Sequence, residues 1–300
     1  MRSVANSAPA EFSLPADHPG VSDVAYRLRR AEIAQVGARF APGDRIPTVH
    51  YSDEEDALWQ LASSELAKKH GKFACSAVID GSQALALPTG YVPQLRDVSE
   101  RLRSVTGFRV EPVPGLVPTR RFYGALADRC FLSTQYIRHT SVPFYTPEPD
   151  MIHEVIGHCT MLAEPRLAEL YRLAGEASLR ATTDEALEFF SRVFWFTLEF
   201  GVVYEGGELR CYGAGLLSSF GEIEMFRTAE TKPFDILTMG TTAYDITRYQ
   251  PVLFAGADME QVVDELTSWL QLFDDDWYRE NVASEASPSL HATKAKWSLS

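Results

Sequence analysis

An acid set inside an aromatic run constrains this chain more than any other feature. Glu199 stands in Phe194-Trp195-Phe196-Thr197-Leu198-Glu199-Phe200, and an unpaired charge buried among such side chains is costly. It must be hydrogen-bonded, neutralised or bound to a cation. Suitable partners lie upstream in the stretch from Phe131 to Pro165, FLSTQYIRHTSVPFYTPEPDMIHEVIGHCTMLAEP. There Pro147 and Pro149 suit the approach to a helix and are excluded from its interior. The helix that follows carries His153, Glu154, Gly157 and His158. A fold that buries Glu199 has to bring these two helices face to face.

The histidines stand five residues apart, which is about 140° round an ideal α-helix. One ion can meet both only near a bent or fraying helix end, and Gly157 permits such a distortion together with a close backbone approach. With Glu199 on the facing helix, two imidazoles and one carboxylate would grip one side of a metal, the pattern of non-haem Fe(II) oxygenases. Two other readings stand beside it. His153 on a helix surface, His158 at a helix C-terminus and Glu199 bonded to backbone would need no metal. His153, Glu154 and His158 also compare with the H-E-x-x-H motif, which gives a zinc hydrolase with Glu154 as general base.

Bulk properties narrow the classes. At 300 residues the chain can bury a sizeable core. Its formal charge of -13 repels nucleic acid and anionic lipid. The sequence contains no apolar run of bilayer length and no secretory h-region. Cys75, Cys130, Cys159 and Cys211 are scattered singly, as small buried side chains in a reducing cytoplasm would be.

Periodicity and turn signals predict a mainly α domain with short β-strands and a hairpin. Helical patterns cover Tyr26 to Phe40, the segment from a Ser52 capping box to a stop at His70-Gly71, and Leu95 to Val105. Short strands are expected over FRVEPVPG and Arg129 to Ile137, with a helical turn from Phe122 to Ala127. Further helices span Asp150 to Leu162, Arg166 to Ala177, Thr183 to Phe200, Gly215 to Phe226 and Met259 to Phe273. VVYEGGELRCYG reads as a hairpin. Residues 1–16 are a flexible lead-in, 17–276 the domain, and 277–300 a weakly ordered tail.

The segments DHPGVSD, IPTVHY, PQLRDVSERL, TGFRVEPVPGL, STQYIRH, YTPEPDMIHEVIGH, FWFTLEFG and YGAGLLSSFGE closely resemble the catalytic domain of the pterin-dependent aromatic amino acid hydroxylases. The resemblance runs from about residue 17 to about residue 273. It implies a mainly helical basket and iron held by His153, His158 and Glu199. It also implies that O2 is split between an aromatic ring and a tetrahydropterin. For the pterin it implies stacking on Phe122, edge contacts from the backbone around Gly115, Val117 and Thr119, and a hydrogen bond from Glu154. For the amino acid it implies an Arg138 clamp on the carboxylate with Thr146 and Ser218 nearby. Pro149, Trp195 and Phe200 would line the ring slot.

Leu132 and Phe194 depart from the family pattern, where a polar residue and a Tyr are usual. Ile246, in AYDITRYQP, matches a position that is acidic in tyrosine-selective members, and Trp195 differs from the Phe usual in the tryptophan type. The resemblance thus implies L-phenylalanine as substrate and attack at the para carbon, with the meta carbon or L-tryptophan as alternatives. Without the regulatory domain and coiled-coil heptads of animal relatives, a cytoplasmic monomer is expected.

Overall fold

The computed structural model describes residue 14 and residues 18–144, 146, 148–246 and 248–284. Local sequence writes the heads of its main helices. Ser52 Oγ accepts from the Glu55 N–H at 3.3 Å while Glu55 accepts from the Ser52 N–H at 2.8 Å, closing the expected capping box on the Asp53–Phe73 helix. Thr183 caps Asp184–Phe194, and Asp258 caps Met259–Leu272. The Asp53–Phe73 helix continues two residues past its expected stop, because His70 is tied to the Leu217 carbonyl at 2.7 Å and Phe73 is buried.

The Pro165–Arg180 helix runs through the middle of the molecule, burying Leu167, Leu170, Tyr171 and Leu173. Each such buried leucine stabilises the fold by about 1.5–3 kcal/mol. It packs on the Thr119–Ala127 and Met259–Leu272 helices. Gly175 permits the first of these crossings: a Cβ there would lie 2.1 Å from the Ala127 nitrogen.

The strands are short. β1 (Arg109–Pro112) pairs in parallel with β2 (Cys130–Ser133). β3 (Val202–Glu205) and β4 (Glu208–Cys211) form the expected hairpin, turning at Gly206 and Gly207 with φ of 61° and 80°. The hairpin extends to a four-stranded sheet through β6 (Val252–Gly256), parallel to β3, and β5 (Glu230–Pro233), parallel to β6. Neither β5, β6 nor the Ser76–Leu85 helix was expected from the sequence.

Two departures bear on the site. The segment expected as a bent α-helix is π-helical over Ile152–Cys159, and the end of the facing helix is π-helical over Trp195–Glu199. The other concerns the expected weakly ordered tail. Its described part is helical to Ala283, because Trp277 packs 5.4 Å from Phe273 and 5.8 Å from Phe189. Residues 285–300 of that tail, and the lead-in over 1–16 apart from Leu14, lie outside the described residues. All four cysteines are buried and free, and no described helix is long and apolar enough to cross a membrane.

Candidate metal centre and substrate slot

The π geometry does what a bend was expected to do. Its hydrogen bonds join residues five apart, so His153 and His158 come onto one side of the segment without fraying. Their Nε2 atoms stand 3.1 Å apart with the rings crossed at 88°. Gly157 lets the segment press on the Ala214–Ser218 helix, where a Cβ would sit 2.7 Å from the Ala214 carbonyl oxygen. On the facing π turn, the Phe200 N–H reaches the Trp195 carbonyl at 2.8 Å. Glu199 at its end places Oε1 3.0 Å from His158 Nε2 and Oε2 3.9 Å from His153 Nε2.

Hydrogen bonding fixes which imidazole nitrogens are free. His153 Nδ1 lies 2.8 Å from Ser218 Oγ, which donates its own hydrogen to the Ala214 carbonyl at 2.9 Å. His158 Nδ1 lies 2.7 Å from the Tyr171 hydroxyl, whose hydrogen is directed to Met161 Sδ at 3.4 Å. Both hydroxyls are thus acceptors toward the rings, so both Nδ1 atoms carry the proton and both Nε2 lone pairs face inward. Burial, with the neighbouring His158, pushes the His153 pKa down to about 4, which keeps that ring neutral. Two lone pairs and a carboxylate converging this closely repel one another unless a cation joins them. Donors about 2.1 Å from a shared ion and at right angles stand about 3 Å apart. The residues present therefore fit a metal, and two imidazoles with one carboxylate suit ferrous iron with open positions.

Two acids compete for the third ligand position. Glu154 has an oxygen within 4.8 Å of both histidine donors. Burial and the negative charge of Glu199 raise its pKa well above the ordinary value, against the opposing hydrogen bond from the Thr134 backbone. Glu199 reaches both Nε2 atoms, at 3.0 and 3.9 Å, and is the candidate third ligand.

Asp150 locks the approach to this centre. Its carboxylate accepts from Arg138 Nε at 2.9 Å, Arg138 Nη2 at 2.8 Å and the Arg138 N–H at 2.9 Å, and also from the His153 N–H at 3.1 Å. Burial opposes its ionisation, yet the Arg138 guanidinium keeps the carboxyl below its usual range. The fork expected to clamp a substrate is thus half occupied by a structural partner. Arg138 Nη1 makes no hydrogen bond among the described residues, and this edge is the one left for a ligand.

Two groups of aromatic rings lie next to the proposed ligands, one flanking Glu199 in the chain and one against His158. Trp195 lies 4.5 Å from Phe200 and stacks on Tyr244 at 4.3 Å and 13°, while its Nε1 donates to Gln250 at 3.0 Å. In the second group Phe131 lies 4.8 Å from the His158 ring, and Phe122 lies 5.7 Å from Phe131 and 6.4 Å from Phe194. Val117 packs with Phe122 and Leu132 in a small apolar cluster. Gly115 is half-buried beside it, and Thr119 is exposed at the head of the Thr119–Ala127 helix.

Three residues expected at the substrate have other contacts or are exposed. Ser218, expected beside the carboxylate, spends its hydroxyl on His153 and the Ala214 carbonyl. The Thr146 hydroxyl closes a turn onto the Glu148 carbonyl at 2.8 Å. Ile246 is 62 % exposed. Pro149 is half-buried and uses its carbonyl to accept from Thr134 at 3.2 Å. Phe131, Tyr171, Tyr244 and Gln250 were not singled out from sequence. Each is 13 or more residues from the His158 or Trp195 side chain it meets and has no local signature.

The model of one family, biopterin-dependent aromatic amino acid hydroxylase, matches residues 4–281. The chain belongs to that family. A phenylalanine 3-hydroxylase from Streptomyces coeruleorubidus is 46% identical over 86% of this chain and 93% of its own length. A phenylalanine-4-hydroxylase from Caenorhabditis elegans is 42% identical over 85% of this chain, which spans only 57% of that relative's length. Among solved structures, the apo phenylalanine hydroxylase of Colwellia psychrerythraea superposes with a TM-score of 0.74 at 33% identity, covering 82% of this chain and 94% of that one. The Chromobacterium violaceum enzyme with bound Fe(III) superposes with a TM-score of 0.72 at 26% identity, covering 83% and 93%. A pterin-dependent iron hydroxylase accounts for the His153, His158 and Glu199 arrangement, and the zinc hydrolase reading falls.

Membership makes the outer contacts testable. Ser218→Ala removes the acceptor that holds the His153 tautomer. Iron affinity is expected to fall about 10–100-fold, the usual cost of losing such a partner. Titration of the apo-protein with Fe(II) under anaerobic conditions checks this, and an unchanged affinity counts against the tautomer assignment.

Proposed function

We propose that this hydroxylase acts on the ring of free L-phenylalanine. The observation that carries the reading is the convergence of His153, His158 and Glu199 in a chain 46% identical to a phenylalanine 3-hydroxylase, with Arg138 assigned to the substrate carboxylate and Trp195 and Phe200 to its ring. A carboxylate is matched by the planar guanidinium fork, and an apolar ring by the indole and phenyl walls. Iron and tetrahydropterin, when bound, supply the O2 activation and the electrons that ring hydroxylation needs.

This chain's own residues do the remaining work. Arg138, fixed in place by Asp150, orients the amino acid through its carboxylate. Trp195, Phe200 and Pro149 hold the ring and exclude water. Phe122 and the backbone around Gly115, Val117 and Thr119 are assigned to the pterin, with Glu154 on the same side. A cytoplasmic monomer belongs to the same proposal and rests on the sequence reading alone.

Two ring positions are open. Likeness to the Streptomyces 3-hydroxylase over nearly its whole length supports the meta carbon. The para carbon expected from sequence is supported by the nematode enzyme. Incubation with Fe(II), tetrahydropterin, O2 and each of phenylalanine, tyrosine and tryptophan, with separation of the tyrosine isomers, decides substrate and position together. Ring-hydroxylated phenylalanine formed only with pterin and O2 is expected. Turnover confined to tyrosine or tryptophan would overturn the proposal.

A further inference from the structure

Gln250 is 5 % exposed, and each polar atom of its side chain is engaged. Its Oε1 accepts from Trp195 Nε1 at 3.0 Å. Its Nε2 donates to the Asp245 carbonyl at 3.0 Å and the Arg248 carbonyl at 3.1 Å. Its backbone N–H donates to the buried Glu222 carboxyl at 2.6 Å. One amide thus ties the substrate-slot indole to the loop that carries Tyr244, and Glu222 fixes the amide from behind.

The two ring contacts on Trp195 do not by themselves set its position. Tyr244 stacks nearly parallel to the indole at 13°, and Phe200 lies tilted at 37°. Offset stacking restrains the plane of a ring far more than its sliding within that plane. The directional bond from Trp195 Nε1 to Gln250 supplies the missing in-plane restraint. Adjacent carbons of a substrate ring differ in place by one bond length, so a small slide of this wall changes which of them faces the metal centre.

We propose that Gln250 is a positioning residue that acts through Trp195 to select the ring carbon that is hydroxylated. The proposal rests on the reading of the chain as a phenylalanine ring hydroxylase. It assigns a regiochemical role to a residue that touches neither the metal ligands nor, on this geometry, the substrate.

Gln250→Leu removes the acceptor and both donors at similar volume. The ratio of meta- to para-tyrosine is expected to shift at least about 3-fold, and the KM for phenylalanine to rise about 10-fold, as small misplacements of a bound reactant do. Iron content and the KM for tetrahydropterin should be unchanged. Gln250→Glu keeps an acceptor for the indole and should retain the wild-type isomer ratio. Should the Leu variant not fold, Gln250→Asn, too short to reach Trp195, replaces it with the same expected shift.

An independent readout uses protein labelled with 15N-tryptophan. The Trp195 indole N–H signal should move upfield in Gln250→Leu while the other four of the five tryptophans hold their positions. An unchanged isomer ratio in Gln250→Leu overturns the proposal. So does an equal shift in Gln250→Glu, which would trace the effect to the loop, or an unmoved Trp195 signal. If the wild-type protein forms no hydroxylated phenylalanine, the substrate reading fails, and the indole signal still decides whether Gln250 holds Trp195.

Discussion

Glu199→Ala is expected to abolish iron binding and turnover together. Glu199 is the carboxylate that faces both histidine Nε2 atoms, at 3.0 and 3.9 Å. Without it, two neutral imidazoles remain to hold a dication inside a buried site, and the cost of desolvating the ion is no longer offset. The affinity loss should exceed the ~10–100-fold typical of losing an outer partner. Metal analysis after anaerobic reconstitution reads the effect directly. A variant that keeps stoichiometric iron would show that Glu154 can take over as ligand. A fold check matters less here than elsewhere, because His158 retains its bond to Tyr171 and His153 its bond to Ser218.

Arg138→Lys should raise the KM for phenylalanine with iron content preserved. The guanidinium uses Nε and Nη2 on Asp150, and Nη1, with no hydrogen bond among the described residues, is the edge proposed for the substrate carboxylate. A lysine ammonium is a point charge on a flexible stem and cannot keep both geometries. Losing a charge-assisted hydrogen bond to the substrate corresponds to about 1.5–3 kcal/mol, or roughly a 10–150-fold increase in KM. Asp150 remains paired with a cation in this variant, which separates the binding effect from the larger damage of an unpaired buried acid. Steady-state kinetics with varied phenylalanine checks it. An unchanged KM would leave Arg138 a structural partner of Asp150 and nothing more.

Much of the site was readable from sequence because its chemistry is costly to hide. Glu199 among aromatic residues demanded a partner, and the two histidines offered one. The capping hydroxyls of Ser52 and Thr183 and the Gly206-Gly207 turn are local signals, and the structure uses them as such. The π-helical form of Ile152–Cys159 was not readable. Residue spacing shows that an α-helix would misplace the histidines, but whether the backbone bends, frays or changes its hydrogen-bond pattern depends on what packs against it. Here the close approach of Ala214 to Gly157 accompanies the answer.

The misses share one cause. β5 and β6 are short and gain their identity only from pairing with β3 and with each other. Tyr171 sits among the buried positions of the Pro165–Arg180 helix, where an aromatic residue reads as core, and only the fold reveals its hydroxyl on His158. Ser218 bonds to His153 and the Ala214 carbonyl, and Thr146 to the Glu148 carbonyl, contacts that no local pattern announces. Gln250 carries four hydrogen bonds that span three separate stretches of chain, so no local pattern announces it.

The central claim is that His153, His158 and Glu199 hold one iron between them, and a crystal structure of anaerobically reconstituted protein tests it most directly. The account predicts a single ion with His153 Nε2, His158 Nε2 and a Glu199 oxygen each at about 2.0–2.2 Å, and Ser218 and Tyr171 still bonded to the Nδ1 atoms. An ion held by Glu154 in place of Glu199, or one that leaves either histidine unbound, would contradict it.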